Sequence, residues 1–317
     1  MDTVVTTPYA VSVVTFSCRR PRNLVRIVDL RRRSNAGRHD TTSSNLGVDY
    51  RTNFSVCVPP IFGNFDTVSD LVEFVEVNRV LGAEKFQLYS ESVGPRTTVC
   101  LREYVRRGIV DVQPWTLPSD IADVIYYRGQ ILAINDCLYR MMYRTKYLVI
   151  QDLDEFVVPM RSESWQSMLD SIANHTRTDS DRIASYNFRS RFFPINLSNK
   201  FNLTSGGNEV ERRFKTLSVT KAGARLFSIA ERSKVMARPE RVVIWHVHLM
   251  LNSSLVRGED KNVQVDPRYG QLFHYKRGIS VATTTAIYRM NVFESRILRR
   301  LHASAAAICL TNDYLFP

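Results

Sequence analysis

Nowhere in its 317 residues does the sequence carry the roughly 20 consecutive apolar residues needed to cross a bilayer, so no transmembrane helix is expected. The apolar stretch from Tyr9 to Phe16 is interrupted by Ser12 and Thr15 and lacks the basic start and cleavage site of a secretory signal. If the protein enters that pathway, its signal is atypical or lies outside this chain. The cysteines, Cys18, Cys57, Cys100, Cys137 and Cys309, include no pair at zinc-ligand spacing, which argues against a structural zinc site. Their odd number leaves at least one thiol free or paired with another chain. No glycine-rich phosphate loop follows the first strand, where Gly63 stands alone, and this argues against Walker-type NTPases and dinucleotide-binding dehydrogenases. No Ser-His-Asp or Cys-His arrangement, internal repeat or RNA- or DNA-binding signature is visible.

Positive charge is present in excess. The formal net charge of +12 suits an anionic partner such as nucleic acid, a membrane surface or a sugar nucleotide. Much of it lies early, where Arg19, Arg20, Arg22 and Arg26 lead into Arg31, Arg32 and Arg33 and then a polar stretch from Ser34 to Asn45. Residues 1–53 therefore read as a flexible basic arm. Beyond it the chain is only mildly basic, without the interleaved aromatics of a nucleic-acid module, which argues against that partner. Sequons at Asn53, Asn174, Asn196, Asn202 and Asn252 hint at the secretory pathway.

From Phe54 the texture becomes that of an alternating α/β domain. Phe54 to Ile61 reads as a buried strand closed by Pro59 and Pro60. A helix follows with Thr67 and Asp70 as a variant capping box, Val68, Leu71, Val72, Val75 and Leu81 at helical spacing, and Gly82 as its stop. A strand over Phe86 to Tyr89, a helix over Pro95 to Arg107, a strand over Ile109 to Val112 and a longer helix over Tyr126 to Tyr143 repeat the plan. Such alternation predicts a Rossmann-type, mainly parallel sheet flanked by helices. The later chain is less regular: a helix over Ser162 to Asn174, a strand over Ile183 to Phe193, a polar loop over Asn196 to Asn208, strand-like runs over Phe214 to Val219 and Arg241 to His248, a basic aromatic stretch over Tyr269 to Ile279, and a closing helix over Tyr288 to Ile308. Residues 54–317 are expected to form one fused domain.

The fourth strand ends in an unusual way. Tyr147-Leu-Val-Ile-Gln-Asp-Leu-Asp-Glu-Phe156 passes from apolar to acidic, placing Asp152, Asp154 and Glu155 together, and clustered carboxylates repel unless a cation offsets them. Ligands of open α/β sheets sit outside the carboxyl ends of the strands, and alternation along a strand would point Asp152 and Asp154 the same way. Paired carboxylates there suit a hard divalent ion such as Mg²⁺ or Mn²⁺ shared with a substrate's phosphates. His274 is the candidate third ligand, with Lys276 and Arg277 beside it to pair with phosphate oxygens. On the preceding helix Arg128, Gln130, Asn135 and Asp136 are too polar for a face buried on a sheet, and Arg128 or Asn135 could reach a nucleotide. Spacing leaves open whether these positions are simply solvated. His246 and His248 read as partly buried, hydrogen-bonded histidines.

Val56-Cys-Val-Pro-Pro-Ile-Phe-Gly63, Leu71-Val-Glu-Phe74, Leu81-Gly-Ala-Glu-Lys-Phe86, Tyr127-Arg-Gly-Gln-Ile-Leu-Ala-Ile-Asn-Asp-Cys-Leu-Tyr139, Tyr147 to Pro159, Ser233-Lys-Val-Met-Ala-Arg-Pro239 and His246 to His274-Tyr-Lys276 together resemble glycosyltransferase family 92. The resemblance covers about residues 54 to 280. It implies a GT-A fold and manganese-dependent, inverting transfer of galactose from UDP-galactose to a glycan, by proteins that are usually Golgi membrane proteins of type II. It puts the Asp-x-Asp on Asp152 and Asp154 as metal ligands with His274, and donor contacts on Arg128, Gln130, Asn135, Asp152 and Lys276. Lys276 stands where the family's late His-Tyr-Arg element has Arg, which keeps the charge but loses the planar fork. Residues 54–160 are expected to bind the nucleotide sugar and 161–317 the acceptor. An inverting enzyme needs a base, and Glu209, Glu211, Glu231 and Asp260 are candidates among which spacing does not choose. The competing reading is a catalytically inactive glycan-binding or scaffold protein that kept the fold.

Overall fold

The computed structural model describes residues 50–122, 124–195, 214–229, 231–252, 260–303 and 306–310. Residues 1–49 of the basic arm, with Cys18, and the sequons at Asn196 and Asn202, and Glu209 and Glu211 lie outside the described residues, while the arm's last two residues, Thr52 and Asn53, belong to the first strand.

The first strand, β1 (Thr52–Ile61), is buried along almost its whole length, as expected for a central strand covered on both faces. It pairs in parallel with β2 (Lys85–Ser90) on one side and β4 (Thr145–Ile150) on the other, and β3 (Val110–Pro114) extends the sheet beyond β2. The pairing of β1 with β2 slips between Val58 and Ile61, where Pro59 and Pro60 cannot donate to the ladder, so the sheet loosens at its carboxyl edge. Crossovers are made by α1 (Val68–Leu81), α2 (Pro95–Arg106) and α3 (Gln130–Met141). The later chain completes the same sheet. β6 (Ile183–Phe188), β9 (Lys234–Ala237) and β12 (Lys261–Gln264) extend it past β4 in the order β12-β6-β9-β4-β1-β2-β3, with β9 antiparallel to both neighbours. The division at residue 160 is therefore not a division of the core.

A second sheet of β5 (Glu155–Pro159), β13 (Gly270–Arg277) and β7 (Ser190–Ile195) lies at the end of β4, and β13 runs antiparallel to β5 with His274 opposite Glu155. Two small ribbons, β10 (Val242–Trp245) with β11 (Met250–Asn252) and β8 (Lys221–Gly223) with β14 (Thr284–Ala286), and the helices α4 (Trp165–Thr176) and α5 (Glu294–Leu301) complete the described fold.

Several elements depart from the sequence expectation. Tyr126 to Gly129 is a separate turn with Tyr127, Arg128 and Gly129 left-handed (φ 43°, 51° and 71°), and the helix begins only at Gln130. Left-handed backbone at two non-glycine residues is strained, and Trp115 Nε1–H holds it by donating to the Arg128 carbonyl at 2.8 Å. Ile183 to Phe193 is two strands in different sheets, Lys215–Ser218 is a helical turn rather than a strand, and the closing helix starts only at Glu294 after a 3₁₀ segment. Thr67 makes no capping hydrogen bond; α1 is instead buried on nearly all sides, its acids Asp70, Glu73 and Glu76 included. Cys57 is bonded to Cys137 and Cys100 to Cys309, tying β1 to α3 and α2 to residues 306–310.

Candidate active site

The carboxyl edge of β1 and β4 opens into a cavity of about 460 Å³, walled on one side by Pro59 to Phe62 and on the other by β13. Asp152, Asp154, Glu155, His274 and Lys276 all line it, so the acidic end of the fourth strand and the late His-Tyr-Lys element meet there.

They meet through a turn and a register. β4 ends at Ile150, and Glu155 N–H donates to the Asp152 carbonyl at 3.0 Å, closing a turn over residues 152–155. Asp152 and Asp154 are thus presented by a turn, not by strand alternation as expected, and Leu153 packs against the core. Opposite them β13 delivers His274, 7% exposed, with Nε2 3.3 Å from Asp154 Oδ2 and Nδ1 3.3 Å from Glu155 Oε1. Neither ring nitrogen is aligned for a hydrogen bond within the protein. A one-residue slip of β13 would turn His274 away from the carboxylates. Burial pushes the Asp154 carboxyl up, but nearby His274, with Lys276 and Lys215 farther off, outweighs it and holds the group below the usual carboxylate range. Burial likewise pushes His274 down, and the two carboxylates beside it more than reverse this.

The repulsion expected among the carboxylates is partly offset by the protein itself. Lys234, at the start of β9 and almost wholly buried, places Nζ 3.0 Å from Asp152 Oδ2 and 3.0 Å from Glu155 Oε2. Glu155 is pushed up chiefly by burial, with Lys234 working against it. The other wall has a second buried ammonium: Lys215 Nζ lies 2.9 Å from Asp70 Oδ1 and 3.2 Å from Glu73 Oε2, while Arg277 approaches Asp70 Oδ2 at 2.9 Å. Neither lysine was singled out as a site residue from sequence. Lys234 left one local signal, a charge opening an otherwise apolar strand.

The structure sorts the other expected residues. Gln130 lines the cavity and donates from Nε2 to Asp152 Oδ1 at 3.4 Å. Asn135 does not line it: its amide donates to the carbonyls of Ile131 and Trp245 and accepts from Trp245 N–H, bracing α3 against β10. Arg128 is also absent from the lining, its guanidinium 3.7 Å from Glu91. Arg277, expected to meet phosphate, lines the cavity beside the exposed Lys276, with its guanidinium also 2.9 Å from Asp70 Oδ2. His248 lines the cavity with Nδ1 3.1 Å from the Ser233 carbonyl. Of the candidate bases, Glu231 is paired with Arg225 and Ser228, and Asp260 with Arg241; neither reaches the cavity. Tyr126 and Tyr127, exposed and 4.6 Å apart between ring centroids, stand at its mouth.

A divalent ion fits part of this arrangement. His274 offers a buried ring nitrogen with no hydrogen bond, facing a carboxylate, a donor pair suited to Mn²⁺. Among the described residues no three His, Cys, Asp or Glu side chains are gathered into a complete metal site. Of the expected trio, Asp152 has one oxygen on Lys234 and the other 3.4 Å from Gln130 Nε2.

Similarity to known proteins agrees with the sequence resemblance. The chain is 27% identical over 233 residues to the beta-1,4-galactosyltransferase galt-1 of Caenorhabditis elegans, covering 72% of this chain and 49% of that protein. It is 26% identical over 145 residues to the galactan beta-1,4-galactosyltransferase GALS1 of Arabidopsis thaliana, covering 45% and 28%. The chain thus spans about half or less of these relatives. Among solved structures, TarS of S. aureus aligns at 8% identity over 80% of this chain and 44% of that one, with a TM-score of 0.36. Glucosyl-3-phosphoglycerate synthase of Mycobacterium tuberculosis aligns at 13% identity over 71% and 72%, with a TM-score of 0.31. The glycosyltransferase family 92 profile matches residues 52–306, from β1 to beyond α5 and including every residue that lines the cavity, so the chain belongs to that family.

Proposed function

We propose that this chain is a metal-dependent, inverting glycosyltransferase that transfers galactose from UDP-galactose to a glycan. Family membership supports the reaction class, and two relatives named as galactosyltransferases support the sugar. The observation that carries the metal-dependent reading is the facing pair of Asp154 and His274 in the cavity at the strand ends. Asp154 and His274 would hold Mn²⁺, with the remaining oxygen of Asp152 beside them. When bound, the ion would supply Lewis-acid stabilisation of the departing diphosphate. Lys276 offers a point charge to the phosphates from the cavity wall, and Gln130 with Asp152 offers hydrogen-bonding groups to the nucleoside.

The chain is further proposed to work in the Golgi or secretory lumen, associated with a membrane. Its disulfides suit an oxidising compartment, and the sequon asparagines Asn53 and Asn174 are exposed. No described helix is long and apolar enough to span a membrane.

Calorimetric titration with UDP tests the reading. Binding is expected to require Mn²⁺ and to weaken at least about tenfold in Asp154→Asn and His274→Ala, with far-UV dichroism unchanged. Metal-independent UDP binding of equal affinity in wild type and both variants overturns the metal reading. A donor screen with Mn²⁺ that finds neither hydrolysis nor transfer favours the inactive glycan-binding protein.

A further inference from the structure

Lys234 is not needed to hold either substrate, since it lies beneath the cavity floor and outside its lining. An ammonium is nevertheless kept there at 1% exposure, an expensive position unless its partners are fixed. The partners form a closed pattern: Lys234 bridges Asp152 and Glu155, Glu155 Oε2 accepts from Asp152 N–H at 3.1 Å, and Glu155 Oε1 faces His274, whose other nitrogen faces Asp154. Three carboxylates in one turn against one ammonium leave two negative charges, which is the charge of one divalent ion. Lys234 also engages Oδ2 of Asp152, one of the oxygens on the cavity side of the turn that a cation could otherwise use.

We infer that Lys234 is a positioning residue that acts as a permanent internal counter-cation: it holds Asp152 and Glu155 in place and sets the cavity's charge for a single divalent ion carried by Asp154 and His274. This rests on the metal-dependent reading, from which it takes the divalent ion and its carriers, Asp154 and His274. Removing the ammonium leaves the turn one negative charge richer and frees an oxygen of Asp152, so the site should seek more cation. Removing one carboxylate as well should return the balance.

Mn²⁺ binding without nucleotide tests this, followed by the paramagnetic resonance signal of free Mn²⁺ together with thermal melting in chelator and in Mn²⁺. Lys234→Met is expected to melt lower than wild type in chelator, to recover more of its melting temperature on adding Mn²⁺ than wild type gains, and to bind Mn²⁺ at least about tenfold tighter or with more than one ion per chain. The double variant Lys234→Met, Glu155→Gln is expected to return to one ion per chain at near wild-type affinity, and it keeps the test valid should the single variant fail to fold. Unchanged Mn²⁺ affinity and stoichiometry in Lys234→Met, or a double variant that departs from wild type as far as or farther than the single one, overturns the inference. A wild-type chain that binds no Mn²⁺ in the presence of UDP overturns the functional reading instead.

Discussion

Two ammonium groups are buried beside the cavity, and in each case two carboxylates meet them. Lys215 is the one whose cost of removal is simplest to state, because both of its carboxylates belong to α1 and not to the acidic turn. Burial pulls its pKa down, but Glu73 and Asp70 outweigh this and raise it above the ordinary 10.5. A raised lysine pKa means that the stabilisation is complete below the unfolded value and is lost only as pH rises through the folded one, so it is fully present at neutrality. Lys215→Met leaves Glu73 without its cation and Asp70 with Arg277 alone, and is expected to cost about 3 kcal/mol in urea denaturation. A change near zero would show that Arg277 and the Thr216 N–H, which donates to Glu73 at 2.6 Å, already satisfy both acids.

At the scale of elements, α2 shows how a helix can borrow its cap. Its N-terminal flank is Gly94, which has no side chain to cap with, and Asp66, from the loop between β1 and α1, instead accepts from Thr97 N–H at 2.8 Å. Burial nudges the Asp66 carboxyl up, while hydrogen bonds from Thr97 and Arg96 bring it below the ordinary 3.8. Its contribution is therefore present above that value and fades as pH falls through the lower folded one. A Cβ on Gly94 would land on the Cβ and Cγ of Asp66, so Gly94→Ala is expected to displace the cap and cost about 1 kcal/mol or more at neutral pH. The loss for Asp66→Asn should shrink below pH 4, and guanidinium denaturation at pH 7 and pH 3 checks both. A Gly94→Ala variant as stable as wild type would mean that the loop carrying Asp66 moves without losing the bond.

At the scale of the molecule, the two disulfides close loops with sequence separations of 80 and 209 residues. Removing the longer one with Cys100→Ala and Cys309→Ala is expected to lower the melting temperature by on the order of 5 to 10 °C, and reduction of the wild type with dithiothreitol should do at least as much. Thiol titration of the unfolded, unreduced chain that finds these four cysteines free would contradict the pairing.

The sequence by itself determined the alternating α/β half, because hydrophobic period reports burial of each element locally. β1, β2, α1 and α2 fall where the apolar spacing places them, and membership of glycosyltransferase family 92 was legible in the ordered motifs from Val56 to Lys276. Asp152, Asp154, Gln130, His274 and Lys276 were also named from sequence, and they line one cavity. Only the tertiary structure decided which neighbours each polar group would have. Asn135, polar on a helix, looked available for a nucleotide and is spent on a backbone 110 residues away. Arg277 stands on the cavity wall as a phosphate contact would, and it also answers a buried acid on α1, a pairing that no local pattern announces. The acidic turn read alone calls for a bound ion to offset its repulsion, and part of the offset comes instead from Lys234, 82 residues from Asp152, across an antiparallel strand pairing. Periodicity records how deeply a side chain is buried, whereas charge compensation depends on which strand becomes a neighbour and in what register, and no local pattern encodes that.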